Sequence, residues 1–276
     1  MTILRCFIVI FLNLSSSFSI YNGEECYPGN YTFLVQLVSL KRGKKTVICS
    51  GTLIKLDTVL TAAHCVLKFR SSIFAEPKIV LHTAEGNVMI GTKKIHIHEK
   101  YDKINLQYDV AILVLEDSFS PSQATTISLP FGQNHRNSTQ CPRGKFLGWG
   151  NSNLRDIDEL PIPSEGSLRC IDFPVISKDN CSSLRSLAKM DTFFCAFGGF
   201  ERPGGGCRGD SGGPFLCDEV QYGIASVNFG CGVIGEPTFF TSVDKTLDFI
   251  ERHVKSSVDS MKRNGLIVIC LVFIIF

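Results

Sequence analysis

The chain has 276 residues, 44% of them apolar, and a formal net charge of +2 at pH 7. That length and apolar content suit one large core or two smaller ones and exclude a disordered chain. So small a net charge gives no general attraction to nucleic acid or to an anionic membrane.

At the start, Arg5 precedes an apolar run from Phe7 to Leu14, and Ser17-Phe18-Ser19 places small residues at the −3 and −1 positions of a cleavage site. This predicts a secretory signal peptide over residues 1–19 and a mature chain that begins Ile20-Tyr21-Asn22-Gly23. Secretion suits the cysteines. Of the 12, Cys6 leaves with the signal and Cys270 lies in an apolar tail, so 12 less 2 leaves ten in the body, an even number as a disulfide framework requires. A zinc cluster is the competing use of such cysteines, but no pair has the tight C-x-x-C spacing. No metal or other cofactor is expected.

Further along, Tyr31 to Leu40, Thr46 to Leu53 and Lys78 to His98 give apolar or alternating runs rich in Val, Ile, Leu, Phe and Thr. Similar runs follow at Val110 to Leu115, Gly144 to Leu147, Leu168 to Phe173, Pro214 to Leu216 and Tyr222 to Val227. Gly, Lys and Asn clusters separate them, which predicts an all-β chain of many short strands. The basic segment Lys41 to Lys45 reads as a solvated loop. One helix is predicted late, where Val243, Leu247, Ile250 and Val254 share a helical face among charged residues.

Asn30, Asn137 and Asn180 each open an N-x-Ser/Thr sequon and are candidate glycan sites in a secreted chain. The final stretch, Gly265 to Phe276, is almost wholly apolar and follows Lys262-Arg263-Asn264. As a helix it would cover about 18 Å, short of the roughly 30 Å hydrocarbon core, so it is no simple transmembrane span. Small Ser256 and Ser257, a polar spacer and the apolar tail instead match a glycolipid-anchor signal over 256–276, with an uncleaved membrane-associating tail as the alternative.

The chemistry centres on Cys207 to Cys217, where Ser211 stands among Gly209, Gly212 and Gly213, so that the backbone can turn sharply and leave the serine accessible. A neutral hydroxyl is a poor nucleophile and needs a base within hydrogen-bond reach. Histidine is the side chain suited to that role, and His64 stands in Thr61-Ala62-Ala63-His64-Cys65. Asp109, in Tyr108-Asp109-Val110-Ala111, offers a carboxylate in the apolar setting of a buried strand and can orient the imidazole. His82, His96, His98, His135 and His253 lack comparable settings, and the alternation of His96 and His98 reads as a strand face rather than a metal pair.

In the order His, Asp, Ser, these three motifs closely resemble the chymotrypsin-like serine endopeptidases. The resemblance covers residues 20–255 and implies two six-stranded antiparallel β-barrels with a C-terminal helix, His64 and Asp109 coming from the first barrel and Ser211 from the second. It implies disulfides Cys49–Cys65, Cys181–Cys195, Cys207–Cys231, Cys26–Cys170 and Cys141–Cys217. It further implies that the N–H groups of Gly209 and Ser211 hold the oxyanion, and that a freed Ile20 ammonium pairs with Asp210. Relatives usually end a propeptide in Lys or Arg, whereas Ser19 precedes Ile20 here, so signal peptidase itself would free that terminus. Tyr21 and Asn22 depart from the family's usual small residues at these positions.

The same resemblance places a specificity pocket at Gly205, Ser226, Asn228 and Thr238. Gly205 stands where trypsin-like relatives carry an aspartate, which argues against Lys or Arg specificity. Side chains at Asn228 and Thr238 would make an elastase-like or granzyme-like shallow pocket, suited to Ala, Val or Ser. The expected partners are protein or peptide substrates and protein protease inhibitors, met by a monomer outside the cell or at its surface, with membrane contact only through the tail. The competing reading is a catalytically silent protease-fold binding protein in which Ile20 never inserts.

Overall fold

The computed structural model describes residues 20–69, 76–131, 141–150, 167–184, 191–198, 204–231 and 233–254. The β-branched and aliphatic runs from Leu34 onward build a first closed barrel. Its strands are β2 (Leu34–Lys41), β3 (Lys44–Lys55), β4 (Thr58–Thr61), β5 (Lys78–Thr83), β6 (Gly86–Ile97) and β7 (Ala111–Leu115), ordered β2-β3-β4-β7-β6-β5. All the pairings are antiparallel. These strands contribute Val35, Leu37, Leu53, Val59, Leu60, Leu81, Ile112 and Leu113, each fully buried, to the main core.

A second barrel uses β8 (Arg143–Gly148), β9 (Arg169–Ile176), β10 (Phe193–Ala196), β11 (Pro214–Cys217), β12 (Val220–Asn228) and β13 (Thr238–Ser242). They run β9-β10-β13-β12-β11-β8, and the β8–β9 pairing closes the ring. Closure of both sheets leaves no long unpaired edge on which another chain could template. Aromatic rings fill this second interior. Phe146 and Phe215 approach Phe240 with centroids 5.1 and 4.9 Å apart, in edge and tilted contacts that suit the ring quadrupole.

The two ends of the described chain cross over. β1 (Glu24–Glu25) precedes the first barrel yet pairs with β9 of the second, and the Cys26–Cys170 disulfide fixes that crossing. Conversely, the helix expected near Val243 follows the second barrel. It is helical over 247–254 after a tight turn at Val243–Lys245, and its Phe249 and Ile250 bury in the first barrel's core. The Lys55 ammonium on β3 donates to the Val254 carbonyl at 2.6 Å, tying down the helix end. Four further disulfides join Cys49 to Cys65, Cys141 to Cys217, Cys181 to Cys195 and Cys207 to Cys231.

The basic segment is not a loose loop. Lys41 pairs with Lys44 across Arg42 and Gly43, both at positive φ (52° and 77°), which is the backbone of a two-residue hairpin with its cations exposed. Asn30 and Asn180 are exposed, whereas Asn137, residues 1–19 and the tail at 256–276 lie outside the described residues.

Candidate active site

Where β4 ends, the chain enters the short helix α1 (Ala63–Phe69), and His64 occupies its first turn. The Cys49–Cys65 disulfide fastens that turn to β3. Both cysteine sulfurs near His64 are therefore covalently paired, which removes them as thiolate metal ligands. Asp109 lies just before β7, in a segment held by hydrogen bonds from Val110 N–H to Tyr108 O (2.8 Å) and from His98 N–H to Val110 O (3.1 Å). His98, expected on a strand face, instead follows β6 and stacks on the Tyr108 ring at 4.6 Å.

His64 and Asp109 meet twice. The imidazole Nδ1 lies 2.7 Å from Asp109 Oδ2, and the His64 backbone N–H donates to Oδ1 at 2.8 Å. Asp109 is fully buried, while the His64 side chain keeps 17% exposure toward the cleft. Burial by itself raises the Asp109 carboxyl. The facing His64 charge, then hydrogen bonds from His64 and Ser226, outweigh burial and hold the carboxyl below the usual carboxylate range. Ser226, expected as a pocket wall, also supports Asp109, its hydroxyl donating to Oδ2. A lone serine in a strand gives no local signal of that contact, which joins residues 117 apart in sequence.

Ser211 sits half-buried in a turn whose flanking Gly209 and Gly212 have φ of 95° and 82°, conformations that a side chain would strain. A Cβ at Gly212 would lie 2.2 Å from Thr61 Oγ1 and 3.2 Å from the Ala62 nitrogen, so glycine lets this turn lie directly against the segment leading into His64. Among the described residues, Ser211 makes no hydrogen bond to His64. Such bonds are often long without substrate and shorten when it binds.

Asp210 is also fully buried. Its carboxylate accepts N–H bonds from Ile20 (3.1 Å), Gly150 (2.7 Å) and Cys207 (2.8 Å). A Cβ at Gly148 would sit 2.0 Å from Asp210 Oδ1, which accounts for a glycine there. Burial pushes the Asp210 carboxyl up to about 6, against the lowering effect of these three amides.

Comparison with known proteins bears on this arrangement. The pattern of the family described as trypsin matches residues 20–250. The chain belongs to the trypsin family. Its relatives there are serine endopeptidases, and they differ among themselves. Human kallikrein-4 is 30% identical over 86% of this chain and 88% of its own length. Trypsin 5G1 of Aedes aegypti is 32% identical over 78% of each chain. Human chymotrypsin-like elastase family member 3A is 30% identical over 87% of this chain and 91% of its own. Trypsins and an elastase thus stand at similar distance, so identity to the trypsin family does not select a pocket type.

The residues expected to form the specificity pocket do lie together. Gly205 and Tyr21 exchange backbone bonds at 2.9 and 3.3 Å. A Cβ at Gly205 would meet Thr238 Oγ1 at 3.2 Å, and the Gly206 N–H donates to that oxygen at 3.2 Å. At Gly206 a Cβ would lie 2.6 to 2.9 Å from the Asn228 carboxamide. Asn228 and Thr238 therefore lean against the 205–206 strip, whose next residue, Cys207, is bonded to Cys231.

Proposed function

We propose that this trypsin-family member is a secreted serine endopeptidase that cleaves after small residues through an acyl-enzyme on Ser211. The observation that carries the reading is the double contact of His64 with the fully buried carboxylate of Asp109, beside a turn that presents Ser211. In this mechanism the Ser211 hydroxyl adds to the scissile carbonyl and gives its proton to His64 Nε2. Asp109 keeps the proton on Nδ1 and stabilises the imidazolium. The developing oxyanion takes hydrogen bonds from the Gly209 and Ser211 N–H groups, a contribution of roughly 3–4 kcal/mol per donor in other enzymes. Collapse expels the amine with the proton from His64, and water repeats the sequence on the acyl-enzyme.

Activity depends on Ile20. Signal peptidase, cutting after Ser19, converts the amide that now faces Asp210 into an ammonium and completes a buried ion pair. Secretion accords with five disulfides, which persist in oxidising compartments. No helix among the described residues is long and apolar enough to cross a membrane. The proposed tether is the apolar segment at 256–276, as a glycolipid-anchor signal or as an uncleaved membrane-associating tail. Asn228 and Thr238 shorten the pocket and favour Ala, Val or Ser before the scissile bond, an elastase-like or granzyme-like preference. Neighbouring aliphatic residues differ there by about 1–3 kcal/mol, giving preference rather than exclusion.

The test is a peptide-library profile of the protein beginning at Ile20, beside its Ser211→Ala variant. Cleavage after small residues that disappears in the variant is the expected result. Equal silence of both proteins would favour a binding protein, and cleavage confined to Lys or Arg would overturn the pocket reading.

A further inference from the structure

Ser50 has no part in the triad, yet it supports the nucleophile's turn from behind. It lies on β3, fully buried, and each of its polar groups reaches another segment. Its N–H donates to the Ser211 carbonyl at 2.8 Å. Its hydroxyl donates to the Gly209 carbonyl at 2.9 Å and accepts the Trp149 N–H at 3.4 Å. Its own carbonyl accepts the Thr61 hydroxyl at 2.8 Å, three residues before His64. One residue of the first barrel thus grips two carbonyls of the second barrel, those on either side of Asp210.

We infer that Ser50 is a positioning residue for the oxyanion site, its hydroxyl holding the Gly209 carbonyl so that the Gly209 and Ser211 N–H groups stay turned toward substrate. This rests on the endopeptidase reading above, in which those two amides stabilise the oxyanion. Gly209 sits at φ 95°, and glycine alone does not hold that conformation, because it populates both signs of φ about equally. Something outside the residue must select it. Among the described residues, neither the Gly209 nor the Ser211 N–H donates to a protein acceptor, while both their carbonyls are taken by Ser50. A hydrogen-bonded carbonyl resists rotation of its peptide plane, so the two bonds together fix the Gly209-Asp210-Ser211 segment.

The two grips are separable by mutation. The bond to Ser211 uses a backbone N–H and survives any non-proline substitution at position 50. The bond to Gly209 needs the side chain. Ser50→Ala therefore releases the Gly209 end alone, and Ser50→Thr keeps a hydroxyl there.

The experiment uses the protein beginning at Ile20, with active sites counted by fluorophosphonate labelling of Ser211. For one small-residue peptide it measures kcat and KM per labelled site. It also measures the inhibition constants of the matching peptide aldehyde, which forms a tetrahedral oxyanion adduct, and of the peptide alcohol, which forms none. Ser50→Ala should lower kcat about 10- to 100-fold at nearly constant KM, less than the roughly 10²–10³-fold loss from deleting a donor outright. Aldehyde affinity should fall in step, alcohol affinity should hold, and Ser50→Thr should recover most of the loss. A purely structural role would lower the labelled fraction and leave kcat per site intact. That result would overturn the inference, as would parallel loss of aldehyde and alcohol binding, or equally slow Ala and Thr variants. If the unsubstituted protein neither takes up label nor cleaves peptide, the endopeptidase reading falls first and takes this inference with it.

Discussion

Asp109 and Asp210 are both fully buried carboxylates at the junction of the two barrels, yet they are driven in opposite directions. Burial penalises each charge. Asp109 faces an ionisable histidine, whose charge and hydrogen bonds bring the carboxyl below its ordinary value. Asp210 faces three neutral backbone amides and rises to about 6. Burial is common to both, so the charged partner decides the outcome. Asp210 lacks such a partner while residue 19 remains attached, because Ile20 then offers an amide instead of an ammonium. One carboxylate has its charged partner, and the other would gain one on the cleavage proposed after Ser19.

The largest effect should come from removing the charge that already has its partner. Asp109→Asn, measured as kcat per labelled site, is expected to cost about 10⁴-fold, since the amide favours the wrong imidazole tautomer. A loss below tenfold would remove Asp109 from the role of orienting His64.

The next effect distinguishes the two aspartates by pH. Asp210 has a folded-state value raised from 3.8 to about 6, so its protonated form is the one that the fold favours. Its contribution to stability is complete below about pH 4 and is lost as pH rises through about 6, a change of roughly 3 kcal/mol at 1.36 kcal/mol per pKa unit. Urea unfolding of the uncleaved chain carrying Ser211→Ala should show that loss, and adding Asp210→Asn should abolish it. Freeing Ile20 should abolish it too, because an ammonium favours the ionised carboxyl. Asp109 has the opposite sign: its folded value is lowered, so its contribution is present at neutral pH and is lost as pH falls below the ordinary carboxylate range. An identical pH dependence with and without Asp210 would break the contrast.

The smallest effect concerns the support of Asp109. Ser226→Ala removes one hydrogen bond to a buried charge, typically about 1.5–3 kcal/mol. It should raise the Asp109 carboxyl and lower kcat about tenfold, read from the acid limb of a pH–rate profile. An unmoved limb would return Ser226 to the role of pocket wall.

What the sequence reveals here is what is local. Gly209 and Gly212 announce a turn, the Val243 to Val254 spacing announces a helix, and alternation announces most of the strands. β4, β10 and β13 escape because Thr58–Thr61, Phe193–Ala196 and Thr238–Ser242 show no alternation, and runs of four or five residues hardly display a period. Barrel closure joins distant segments, and only the family resemblance implies it; the pairing of β1 with β9 has no counterpart in the sequence reading beyond the implied Cys26–Cys170 bridge. Ser50 and Ser226 escape for the same reason: each acts through partners tens to more than a hundred residues away, and a serine in a strand has no local signature. The basic hairpin was misread because charge suggested a loop, while Arg42-Gly43 supplied the two positive-φ positions of a tight turn.

In the activation proposed here, a free Ile20 ammonium is the partner that Asp210 lacks. The most direct test compares turnover of one small-residue peptide by two proteins, one beginning at Ile20 and one retaining Ser19 as a single extra residue. The extended protein should be slower by at least about 100-fold, since a missing partner for a buried charge costs about 3–5 kcal/mol, and Asp210→Asn should make the two alike. Equal turnover by the two proteins with Asp210 intact would contradict that proposal.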